Sequence, residues 1–192
     1  MKVTCIVGSA RNNGSTAYLI NTFLSGLDEN VQVNKYAVGD IDLRYCVGCK
    51  HCYIDGNCIH NDDVKKIVAD MLSSDYVVIA APSYWADVPG QLKTLFDRTT
   101  PYGNTNPNRT LKAQKNIKGI AIAVRAGVRE SENELILNSI EHYIGHLDIE
   151  TVKRISICQT DSLSDLLEKH QTEIEAISSL AQEIQCGGNN GN

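Results

Sequence analysis

The chain has no run of Lys or Arg, no internal repeat and no linker-like segment. Without a basic patch, nucleic acid is not an expected partner. No stretch approaches the roughly 20 apolar residues that a membrane-spanning helix needs. The first apolar run, Val3–Gly8, is too short for a secretory signal, so the cytoplasm is the expected location and no membrane partner is expected. Both common nucleotide loops are missing, Gly-x-Gly-x-x-Gly and the Gly-Lys-Ser/Thr ending of a Walker loop. No Ser/His/Asp or Cys/His arrangement stands out either. The five histidines, His51, His60, His142, His146 and His170, are scattered and read as surface or core residues.

What remains is an ordinary globular chain of 192 residues, 42% hydrophobic and 21% charged, with net charge −5. That length suits one domain with a full core, here residues 1–186, followed by a Gly/Asn-rich tail, 187–192, expected to be flexible. Short Val/Ile-rich runs predict buried strands at Lys2–Gly8, Tyr76–Ala81, Ile117–Val124 and Ile149–Cys158, with an alternating edge strand at Val31–Tyr36. Helical spacing of apolar residues predicts helices over Ser15–Leu27, Asp62–Leu72, Gly90–Arg98 and Ser131–Leu147, and a last one from a Ser162/Asp165 capping box to Gln185. Asp62 and Asp63 would occupy a first helical turn, where they favour the dipole. Strand and helix alternate five times, which predicts an α/β fold: a doubly wound, five-stranded parallel sheet of order 2-1-3-4-5 with helices on both faces. Ligands of such sheets bind at the carboxyl ends of the strands. Attention therefore falls on the loops after Val7, Ala81 and Val124.

The first of these loops runs Gly8-Ser-Ala-Arg-Asn-Asn-Gly-Ser-Thr16 into a helix. A helix start offers free backbone N–H groups and positive dipole charge. Ser9, Ser15 and Thr16 add hydroxyls and Arg11 a cation, so a phosphate is the fitting guest. The plainer reading makes Ser15 or Asn13 a mere helix cap.

Four of the seven cysteines fall within one insert, about 44–60, as Cys46-x2-Cys49-x2-Cys52-x5-Cys58. In a reducing compartment such a cluster points to metal or redox chemistry rather than cross-links. The spacing suits a [4Fe–4S] centre; a zinc site, free thiols and a reversible disulfide are the other readings. Cys5 and Cys158 fall in predicted strands and read as inert core residues.

Four segments in fixed order resemble the NAD(P)H-dependent FMN reductase and multimeric flavodoxin group, which includes the iron–sulfur flavoproteins. They are Gly8–Thr16; the cysteine segment with Asp62-Asp63; Pro82-Ser-Tyr-Trp85; and Gly90-Gln-Leu-Lys-Thr-Leu-Phe-Asp-Arg98. The resemblance covers about the first hundred residues. It implies a flavodoxin-like fold and non-covalent FMN. Ser9, Arg11, Asn13, Ser15 and Thr16 would hold the phosphate. Pro82, Ser83, Tyr84 and Trp85 would lie along the isoalloxazine, with Arg125 and Gly127 on its other side. It also implies NAD(P)H as co-substrate, a small electron acceptor or redox protein as partner, and a homodimer or homotetramer. For Trp85 the alternative is packing under the next helix. For Arg98 it is a dipole or subunit contact. The long polar stretch 99–116 is expected to cover the flavin or to meet a second subunit. Three functions compete: an FMN-dependent NAD(P)H oxidoreductase acting on a quinone, flavin or other small acceptor; an iron–sulfur electron carrier; and a non-catalytic flavin-binding interaction protein.

Overall fold

A computed structural model describes residues 1–187. Its five strands are β1 (Lys2–Val7), β2 (Gln32–Ala37), β3 (Tyr76–Pro82), β4 (Ile117–Val124) and β5 (Ile149–Ile157). All are parallel and lie in the order β2-β1-β3-β4-β5. The predicted strand order is thus that of a doubly wound sheet.

The described residues form seven helices, α1 (Ser15–Ser25), α2 (Cys52–Asp55), α3 (Val64–Leu72), α4 (Gly90–Arg98), α5 (Glu130–Gly145), α6 (Leu163–Lys169) and α7 (Gln171–Gly187), with a 3-10 turn at Thr100–Tyr102 against which the short α2 rests. Side chains alternate across the strands, so the sheet feeds two cores. Ile6, Val77, Ile79 and Ala121 face α3, α4 and α5. Val3, Cys5, Val7, Val78 and Ile122 face α1 and α7. Strand β3 lies in the middle, buried on both faces until Pro82. The edge strand β2 is largely exposed, as its alternating sequence predicts.

Three local expectations are corrected. Asp62 is not in a first helical turn: α3 starts at Val64 with Asp63 as its N-cap, and Asp62 turns inward. The expected last helix is two. A capping box of Ser162 and Asp165 starts α6, and the chain breaks at His170 (φ −127, ψ 35), so that α7 can lay Ile177 and Ala181 into the core beside α1. Cys158 follows β5 rather than ending it, and is half-buried with its Sγ 3.6 Å from the Glu130 carboxylate. Burial, and after it Glu130, pushes its thiol up. Cys5 is the inert core residue expected, its thiol pushed up to about 12 by burial. The tail expectation for residues 188–192 lies outside the described residues; Gly187 closes α7.

Candidate functional site

One pocket opens at the carboxyl edge of the sheet, and a second lies between the cysteine segment and the C-terminal end of α4. The first is built on the loop after β1. Gly8 donates its amide to the Ala80 carbonyl at 2.7 Å. A Cβ there would stand 2.7 Å from Leu92 Cδ2 and 2.8 Å from Ala80 O, so only glycine lets the chain leave β1 this close to β3 and α4. Gly14 caps α1 in an extended conformation without a side-chain hydrogen bond. The first-turn amides of α1 are thereby left without a side-chain acceptor. Ser9 and Thr16 are buried beside them, and the Ser9 hydroxyl accepts the Arg11 amide at 3.1 Å. Asn12 anchors the loop by bonding both Asp40 oxygens at 2.7 and 2.8 Å.

These groups line a pocket of about 120 Å³ with Pro82, Ser83 and Tyr84, and with Val124, Arg125 and Ala126. An open helix start, two buried hydroxyls and Arg11 form a donor set that fits an FMN phosphate. Asn13 is exposed and stands outside this lining, as do Trp85 and Gly127. The Arg125 guanidinium turns away to Glu132 at 2.5 Å and to the Arg129 carbonyl at 2.9 Å. It braces the start of α5, while the Arg125 backbone supplies pocket wall. Thr160 and Asp161 also line the pocket. They follow β5, the one carboxyl-end loop that the sequence reading passed over. The Thr160 amide bonds the Arg125 carbonyl at 2.9 Å, so topology and pairing would have found them.

Beyond Ser83 the backbone makes a tight turn. Tyr84 and Asp87 exchange both backbone bonds, at 2.9 and 3.1 Å. The two residues at its tip, Trp85 and Ala86, have φ of 56° and 58°. Positive φ is the signature of type I′ turns, which favour glycine and asparagine. A tryptophan held there is strained. Its indole is fully exposed, so it does not pack under α4.

The second pocket, about 230 Å³, is lined by Cys46, Cys49, Cys52 and Cys58 together with Val47, Ile59 and Pro101. Positive φ at Gly48 (66°), Lys50 (60°) and Gly56 (78°) curls the loop. At Gly56 any side chain would run into the Asn108 carbonyl. All the cysteines among the described residues are unpaired. Burial, against a lowering hydrogen bond from its own backbone, pushes the Cys52 thiol up, and the neighbouring thiols of Cys58, Cys46 and Cys49 add to it. Among the described residues, no three His, Cys, Asp or Glu side chains converge to hold a single metal ion.

Arg98 holds this loop from below. It is 2% exposed and pairs with Asp62 at 2.5 and 3.1 Å. It donates to the Arg44 carbonyl at 2.6 Å and to Cys58 Sγ at 3.3 Å. Burial raises the Asp62 carboxyl, but the Arg98 guanidinium and the amides of Arg44 and Val64 outweigh it and hold it below the usual range. Arg98 does sit in the last turn of α4, as the dipole reading expects, but its buried guanidinium is no surface contact. The stretch 99–116 is tied to the same loop. Asn106, buried, donates to the Cys52 carbonyl at 3.0 Å and to Pro101 at 3.2 Å, and Asn108 donates to the Tyr53 carbonyl at 2.7 Å. It straps the cysteine segment rather than lying over the phosphate loop.

Residues 1–152 match the family described as NADPH-dependent FMN reductase. An iron-sulfur flavoprotein of Archaeoglobus fulgidus is 34% identical over 133 residues, 69% of this chain and 58% of that protein. One from Methanocaldococcus jannaschii is 32% identical over 144 residues, 74% of this chain and 71% of that protein. The match thus spans little more than half the length of the first relative. The crystal structure of an azoreductase from Bacillus anthracis superposes with a TM-score of 0.68, covering 95% of this chain and 99% of its own at 20% identity, a likeness of fold. By its flavodoxin-like sheet and the match over residues 1–152, the chain belongs to the NADPH-dependent FMN reductase family.

Proposed function

We propose that the protein is an FMN-dependent oxidoreductase that takes electrons from NAD(P)H and passes them to a quinone, a flavin or another small acceptor. The observation that carries this is the open start of α1, facing Ser9, Thr16 and Arg11 beside the wall of Ser83 and Tyr84. The flavin supplies hydride chemistry when bound. The chain's part is to bind and orient. The α1 amides and hydroxyls neutralise the phosphate, and Arg11 adds charge at the rim. Ser83, whose amide bonds the Val124 carbonyl at 2.8 Å, fixes the wall between β3 and β4. No acid or base side chain is required. The spectrum of protein purified without air, before and after adding NADPH, tests this. Bleaching of flavin bands supports it; bound flavin untouched by NADH and NADPH opposes it.

The cysteine pocket favours a second reading, an iron–sulfur flavoprotein that carries electrons between protein partners. Four thiols around a cavity of about 230 Å³ have the number and room for a [4Fe–4S] centre. Arg98, donating to Cys58 Sγ, would offset the negative charge of such a centre. Iron and sulfide assays on anaerobic protein test it: four irons and four sulfides per chain are expected, and one zinc or no metal overturns it. No helix among the described residues is long and apolar enough to cross a membrane. Exposed Trp85, Tyr45 and Ile54 support a homodimer or homotetramer, which light scattering would test.

A further inference from the structure

We propose that His142 and His146 form a second metal site, for a divalent first-row ion such as zinc or nickel, independent of flavin and cysteines. His142 lies in the last turn of α5 and His146 is its C-cap with helical backbone, four residues on and so on the same face. Their Nε2 atoms are 3.2 Å apart. Two zinc–nitrogen bonds of about 2.0–2.1 Å across that gap subtend roughly 100–106°, close to tetrahedral.

The ring orientation is set by Asn104. Its Nδ2 donates to the Gly145 carbonyl at 3.3 Å and to Asp148 Oδ1 at 3.1 Å. Both partners can only accept, so the amide oxygen must face the other way, toward His146 Nδ1 at 3.1 Å. That oxygen accepts, hence Nδ1 carries the proton and His146 Nε2 presents its lone pair to His142. A metal-ligating histidine is characteristically held like this by an outer hydrogen bond. Without metal, His142 Nε2–H donates to His146. With metal, that proton moves to His142 Nδ1 and the ion takes its place, leaving both rings neutral. The Asn104 amide, bonded to the His146 carbonyl at 2.7 Å, keeps the strap and helix in register. Both histidines border a cavity of about 480 Å³ with Ser139 and Thr105, which leaves the other coordination positions to water or a small ligand. Imidazole ligands suit zinc, nickel and copper rather than magnesium or calcium.

Equilibrium dialysis against Zn2+ tests this on the full flavin-loaded chain as purified without air. Wild type should bind one more zinc per chain than His142→Ala or His146→Ala, all with equal flavin. The thiols are the same in every variant, so their background cancels. Asn104→Ala should bind the same zinc about 10-fold more weakly. Added zinc should raise the melting temperature of wild type by more than that of His142→Ala. Equal zinc content in wild type and both histidine variants overturns the proposal, and so does a zinc-induced stabilisation as large in the variants as in wild type.

Discussion

The phosphate loop and the cysteine pocket sit at opposite ends of α4 and are built by different physics. The first is made of backbone: a glycine exit from β1, an uncapped helix start and neighbouring hydroxyls, all within nine residues of sequence. The second is made of side chains reaching across the chain. Arg98 bonds residues 36 and 54 positions away, and Asn106 bonds a carbonyl 54 positions away. A local site forms when its strand and helix form. A site held by distant side chains forms last and fails first.

The largest expected effect breaks that contrast at Arg98. Arg98→Met leaves Asp62 charged and buried without its partner, at a cost of about 3–5 kcal/mol. Urea unfolding and iron content should both fall, while flavin bound per folded chain holds. The double variant Arg98→Met/Asp62→Leu should regain stability without regaining iron. If flavin is lost along with iron, the two regions are one cooperative unit. Acid probes the same pair. The Asp62 pKa is lowered from 3.8, so its stabilisation is complete above that value and is lost as pH falls through the folded pKa below it. Near-ultraviolet circular dichroism should show this acid transition in wild type and not in Asp62→Asn.

Gly8→Ala attacks the other end. Overpacking against Leu92 and Ala80 should cost about 1–3 kcal/mol and weaken FMN binding in a fluorescence titration, with iron content unchanged. Asn106→Ala strips the donor from the Cys52 and Pro101 carbonyls. A loss of about 1–3 kcal/mol and faster thiol alkylation at Cys52 are expected, with FMN affinity intact. The smallest effect belongs to Ser162→Ala, which removes the α6 capping box for about 1 kcal/mol; its thermal melt should shift with neither cofactor lost.

What could be read from sequence follows the same division. Strand order and the cores of most helices rest on local period and turn composition, and the structure has them; the turn composition also marks the loop after β1 as a candidate anion site. Asp62, Arg98 and the strap 99–116 could not be read this way. Each looks like an ordinary polar surface residue or loop until the partner far along the chain is known. Asp62 in particular carries the acidic signature of a helix start, yet the pull of a buried guanidinium is stronger than that of a dipole. The break at His170 hides for a similar reason, since the apolar period continues through it and only packing beside α1 bends the axis.

Trp85, the sole tryptophan of the chain, is held outward by a turn that its own backbone disfavours. This makes the protein its own spectroscopic gauge. Excited at the indole band, it reports one position only, at the rim of the phosphate pocket. Emission should begin red, as from water. It should shift blue when another surface closes over the tip, and be quenched by energy transfer when a flavin fills the pocket beside it, so that assembly and cofactor loading leave separate optical marks on a single side chain.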